Sequence, residues 1–208
     1  MNFIHRLRWD IHSSTFLLAI VLSLSTFTSL WNPLEYPVLS YDESTYIGRA
    51  MHVLVAKSPQ EGTFYDHPYF GQFFLAGIFW IIGYPNSLHP SASGDVIDSV
   101  YNLWLVPKLL IGIIGVLDTF LVYKISERMY NTKVAFFASI IFAVMPIIWF
   151  LRTIFLESLQ LPFLLSSIWF AVYAKDTTKN NNNRRYVCMM ILSGIFMGLA
   201  IFLSLIHI

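Results

Sequence analysis

Five apolar runs dominate this chain, each close to the roughly 20 residues that carry a helix across a bilayer. They are Ser13–Leu30, Leu103–Ile125, Val134–Leu151, Thr153–Ala174 and Arg185–Leu205. Hydrocarbon offers the backbone no hydrogen-bond partners, so each run has to satisfy its own N–H and C=O groups as helix. Composition agrees. Of 208 residues, 56% are hydrophobic and 12% charged, against about 25% charged in soluble domains. The expected class is an all-α polytopic membrane protein with five transmembrane helices. A net charge of +1 gives no bulk attraction to nucleic acid. The lone cysteine, Cys188, lies in an apolar run and can form no intrachain disulfide. The first run is long enough to span and is followed by no clear small-residue cleavage site, which argues against a removable signal peptide.

Basic residues set the expected orientation. With the N-terminus cytoplasmic, the inside receives Arg6, Arg8, Lys124, Arg128, Lys133, Lys175, Lys179, Arg184 and Arg185, and the outside Arg49, Lys57, Lys108 and Arg152. Nine against four follows the positive-inside rule. Seven acids then share the long outer loop, 31–102: Glu35, Asp42, Glu43, Glu61, Asp66, Asp95 and Asp98. The inner segment Lys175–Arg185 reads as a low-complexity polar linker.

Two further helices are expected in that outer loop. Asp42–Ala56 has apolar residues at Tyr46, Ile47, Ala50, Met51, Leu54 and Val55, an amphipathic spacing. Ser40 with Glu43 three positions later fits a capping box. His67-Pro68 opens the second, about Pro68–Ile82, since proline suits a first helical turn. Its apolar run of about 14 residues is too short to span and suits an interfacial helix. Gly83-Tyr84-Pro85 ends it, and 85–98 reads as loop.

The candidate site residues each admit two readings. Asp42 and Glu43 could supply a general base at the membrane surface. They could equally decorate a helix N-terminus, where acids are favoured by about 0.3–1 kcal/mol. Asp66 and His67 could bind a metal or phosphate, or cap a helix; a metal needs three or more converging ligands. Arg152 and Glu157 lie near the outer end of the fourth run, where ionisable residues point to function, to a mutual ion pair or to snorkelling. Lys108, near the outer end of the second run, reads first as a snorkelling side chain. Asp118 falls inside that run with no evident partner. Aromatic residues make up 17% of the chain; those beside the acids (Tyr41, Tyr46, Phe64, Tyr65 and Tyr69) fit either sugar stacking or interfacial anchoring.

The order of these features resembles the C-type glycosyltransferase superfamily, most closely its protein O-mannosyltransferase and aminoarabinose transferase branch. Asp42 and Glu43 match the family's "DE" motif at the head of a juxtamembrane helix. "HPYFGQ" (His67–Gln72) matches its "HPPLGK"-like motif, and "RTIFLES" (Arg152–Ser158) its "R..LLDS"-like motif. Tyr69, Gln72 and Glu157 depart from it, standing where the family has proline, lysine and aspartate. Family members carry eleven or more spans, so the resemblance casts residues 1–208 as the N-terminal part of a longer enzyme.

What the resemblance implies is transfer of a sugar from a polyprenyl-phosphate carrier to an acceptor hydroxyl on protein, lipid or glycan, at the outer face of a plasma or endoplasmic reticulum membrane. Asp42, with Glu43 beside it, would be the catalytic pair. Asp66, His67, Arg152, Glu157 and Lys108 would bind substrate. No cofactor is certain, and the branch leaves room for a divalent metal on Asp66. Asp42, Asp66 and Glu157 are expected to line one outer cavity. A non-catalytic lipid-binding or transport-related subunit would share the outer acids and Asp118 but would not need that convergence. A pseudo-enzyme would keep a donor-lipid groove without turnover.

Overall fold

A computed structural model describes residues 3–59, 69–86, 96–178 and 183–203. Among these the chain is all helix: α1 (Phe3–Leu30), α2 (Tyr41–Leu54), α3 (Phe70–Ile81), α4 (Val96–Met129), α5 (Thr132–Val144), α6 (Pro146–Phe150), α7 (Leu156–Thr178) and α8 (Asn183–Leu203). Three segments are long and apolar enough to cross a membrane: Ile97–Met129, Leu156–Lys175 and Asn183–Leu203. The apolar helices Ser14–Leu30 and Thr132–Val144 are shorter. Large apolar side chains point outward from the bundle, among them Ile113, Phe137 and Phe202, each more than half exposed. An aqueous protein would cover such a surface; lipid does not penalise it.

The helices depart from the sequence expectation at three places, each with a local cause. The apolar run 134–151 is not one helix. Proline excludes the α conformation from the residue before it, and Met145, at φ −66° and ψ 130°, is extended. Pro146 then starts the short α6 as its first residue. The second run begins earlier than Leu103. Helix α4 opens at Val96 and has 34 residues, about 51 Å of rise against a hydrocarbon core of about 30 Å. Finally, α7 continues through Thr178 and α8 resumes at Asn183, so helix occupies most of the expected polar linker.

Small and hydroxylated residues bring the helices together. Ser25 and Ser29 of α1 face Gly112, Gly115 and Thr119 of α4. The Ser25 and Thr119 hydroxyls lie 2.8 Å apart, and Thr119 also donates to the Gly115 carbonyl. A Cβ on Gly112 would sit 2.8 Å from the Ser29 carbonyl oxygen, so glycine sets how closely these backbones approach. Between α7 and α8 the bonding is reciprocal: Ser167 donates to the Ser193 carbonyl at 2.8 Å and Ser193 to the Ser167 carbonyl at 2.9 Å. Polar groups that meet in pairs satisfy each other where water is absent.

A second layer sits at the N-terminal ends of α4 and α7. Helices α2 and α3 pack together through Tyr46, Ile47 and Ala50 on one side and Leu75, Ala76 and Phe79 on the other. Ile111, Ile154 and Leu156 close this core from the bundle side. Helix α3 has 12 residues, too few to span. It ends as the sequence indicates, at Gly83, whose φ of +94° glycine adopts without steric cost.

Candidate functional site at the head of α2

The site is organised by Glu43. Ser40 caps α2, its Oγ accepting from the Glu43 N–H at 3.3 Å, while Glu43 Oε2 accepts from the Ser40 N–H at 2.9 Å. The capping box legible in the sequence is therefore formed. The other carboxylate oxygen, Oε1, accepts from the Ile154 N–H at 2.9 Å and lies 3.4 Å from Lys108 Nζ. Both side chains are wholly buried. Lys108 also donates to the Pro37 carbonyl at 3.3 Å. One carboxylate thus joins the entry to α2, the N-terminal half of α4 and the 152–155 turn. Burying a charge is costly unless it is paired and hydrogen-bonded, and here two backbone donors and a cation meet it.

Asp42 stands next to this anchor and is exposed. Successive helical residues point about 100° apart, so adjacent carboxylates at the start of α2 face different surroundings. The reading of Lys108 as a snorkelling side chain is overturned: it is 2% exposed, turned inward to Glu43.

Arg152 is also buried. Its guanidinium Nη2 donates to the carbonyl of Trp31, just past the end of α1, which has no partner within the helix. Its Nε meets no hydrogen-bond partner among the described residues. Burial lowers the Arg152 pKa from the usual arginine range. The alternative of an Arg152–Glu157 pair gives way to this cap. Glu157 sits in the first turn of α7, half-buried. Tyr46 of α2 meets Phe155 edge-to-face at 6.5 Å, so the segments bearing Asp42 and Glu157 do come together. Asp66 and His67 lie outside the described residues, as does the proposed metal position. Among the described residues no group of three or more metal-ligating side chains assembles.

Beneath this layer α3, α4, α7 and α8 border a partly open apolar cavity of about 190 Å³. Phe70 and Phe74 of α3, Leu117 of α4, Leu159 and Phe163 of α7 and Phe196 of α8 are among its lining residues. Asp118 is 4% exposed, and one of its carboxylate oxygens has no partner among the described residues.

Residues 96–204, just over half of the chain, match the family described as dolichyl-phosphate-mannose-protein mannosyltransferase. The chain belongs to this family of membrane glycosyltransferases. No curated protein and no solved structure matches it. The matched stretch runs from α4 through α8 and contains Lys108, Arg152 and Glu157. It stops short of α2. Glu43 bonds that helix to the family region at two points, Lys108 and Ile154. Sequence reasoning missed this junction because nothing local to Glu43 or Lys108 identifies a partner so distant along the chain. The backbone partners, Pro37, Trp31 and Ile154, leave no side-chain signal.

Proposed function

We propose that this protein transfers a sugar from a polyprenyl-phosphate carrier to an acceptor hydroxyl at the outer membrane face, with Asp42 as general base. The observation that carries the assignment is the division of labour within the acidic pair. The Glu43 carboxylate is enclosed and engaged by the Lys108 ammonium and by the N–H groups of Ser40 and Ile154. The Asp42 carboxylate is exposed at the head of the same helix. Glu43 holds α2 in place, and Asp42 is presented to an acceptor. The acceptor oxygen bonds to the anomeric carbon as the bond from that carbon to the carrier phosphate breaks. The proton passes to Asp42, and polyprenyl phosphate leaves. Arg152, whose Nε has no partner among the described residues, places positive charge in the layer beside it, where it favours the departing phosphate; the charge of Lys108 is taken up by Glu43. The apolar cavity below, lined by Phe70 and Phe163, offers a path for the carrier's hydrocarbon.

In this reading α1, α4, α7, α8 and the α5–α6 pair make five crossings, with the N-terminus inside and α2 and α3 along the outer surface. The basic residues at the ends of α4 (Lys124, Arg128) and α8 (Arg184, Arg185) support that orientation. Asp42→Asn tests the chemistry. Asparagine keeps the size of Asp42 and leaves the Ser40 cap in place, but it cannot take a proton from the acceptor. Transfer of labelled sugar from a polyprenyl-phosphate donor in membranes should fall about 10²-fold or more, with donor binding unchanged. Retention of most activity would remove Asp42 from this role.

A further inference from the structure

The cavity beneath α3 is too small for the whole hydrocarbon of a polyprenyl carrier. It measures about 190 Å³, whereas sites that enclose even a drug-sized ligand are about 300–1,000 Å³. A polyprenyl chain is longer than such a ligand, so only its first part fits there.

A second apolar groove, of about 350 Å³, runs between α1 and α4. Leu22, Thr26 and Leu30 form one side, and Ile113, Leu117 and Phe120 are among the residues of the other. Its lining is apolar apart from the Thr26 hydroxyl. From Leu22 to Leu30, the last residue of α1, the helix rises about 12 Å. The groove is therefore elongated along α1.

The two spaces meet on α4. Ile114 lines the cavity, Ile113 lines the groove, and Leu117 lines both. Residues three and four apart are neighbours on a helix surface, so Leu117 adjoins Ile113 and Ile114 alike. It forms a ridge that protein does not cover: Leu117 is 46% exposed and Ile113 57%. A chain that leaves the cavity past Leu117 meets the groove directly beside it. Lipid tails outside are equally apolar, so the hydrophobic effect does not select a chain here. Selection falls to packing, and a groove walled by two helices supplies fixed dispersion contacts along its length.

We propose that the α1–α4 groove holds the distal hydrocarbon of the polyprenyl carrier, with Leu117 as the crossing point from the cavity and Thr26 on the wall that grips the chain. This role rests on the sugar transfer proposed above. The groove makes the protein sensitive to carrier length: a short carrier occupies the cavity alone, and a long one occupies both spaces.

The test is binding of undecaprenyl phosphate and of farnesyl phosphate to the purified full chain in detergent, read by native mass spectrometry. The two share a headgroup and differ in hydrocarbon length. The parent protein should bind undecaprenyl phosphate about tenfold more tightly, equivalent to about 1.4 kcal/mol. Thr26→Trp fills the groove at a position that does not line the cavity. It should remove that advantage and leave farnesyl phosphate binding unchanged. Leu117→Trp blocks the crossing and should also weaken undecaprenyl phosphate binding, which keeps the proposal testable if the first variant does not fold. Ile141→Trp adds the same bulk at an exposed position that lines neither space, and should behave as the parent. An undecaprenyl advantage that survives both Thr26→Trp and Leu117→Trp would overturn the groove and leave the transferase reading intact. Binding of neither carrier by the parent would remove that reading, and the groove with it. Loss of the advantage on adding excess phosphatidylcholine would assign the groove to bulk lipid and overturn its role as well.

Discussion

Lys108→Met isolates the contribution of the buried ion pair. Methionine keeps most of the length and apolar volume of lysine but removes the charge facing Glu43. At the observed 3.4 Å, two unit charges in an effective dielectric of 20 attract by about 5 kcal/mol before desolvation is counted. Removing one partner of a buried pair typically costs about 3–5 kcal/mol, because the other charge is left uncompensated. Glu43 keeps its bonds from Ser40 and Ile154, which places the expected cost near the lower end, about 3 kcal/mol. For a chain of this size that corresponds to a fall of about 6–12 °C in melting temperature. Tryptophan fluorescence during heating in detergent reads it directly. Thiol-reactive dyes do not suit this protein, since Cys188 is exposed. Lys108→Met/Glu43→Gln should recover part of the loss: no charge is stranded, although the single amide oxygen can accept from only one of the Ser40 and Ile154 N–H groups. A single variant that melts within about 2 °C of the parent, or a double variant no more stable than the single, would refute this account of the anchor.

Other perturbations separate local from tertiary effects. Gly112→Ala should destabilise by about 1–3 kcal/mol, because the new methyl meets the Ser29 carbonyl oxygen and Leu30. Gly48→Ala, with nothing within 4 Å of the added carbon inside α2, should stabilise by about 0.5–1 kcal/mol; thermal melts of the two variants should move in opposite directions. Ser40→Ala removes the N-cap acceptor of α2 and should cost about 1 kcal/mol, more than Ser40→Gly. With Cys188 replaced by serine, cysteines at Ser58 and Thr178 should label with a membrane-impermeant reagent from opposite faces. Labelling of both from one side would rule out the proposed crossings.

The sequence by itself determined the material of this protein: apolar runs that only helix can carry through lipid, a capping box at Ser40, and an α3 too short to span. These are local or compositional properties, so a single stretch of chain specifies each one. Its punctuation was legible too, in Pro146, although hydropathy alone joins α5 to α6 because it counts apolar residues and not the backbone angles that proline forbids. What only the tertiary structure decided is which charge meets which. Lys108 reads as a snorkelling lysine and Arg152 as a partner for Glu157 until the chain closes. One then turns to Glu43 and the other to the carbonyl of Trp31. The adjacent acids Asp42 and Glu43, indistinguishable by composition, become an exposed carboxylate and a buried anchor. That separation depends on α4 and the 152–155 turn approaching α2 from distant parts of the chain. The cost of burying a charge is met only where such remote partners converge.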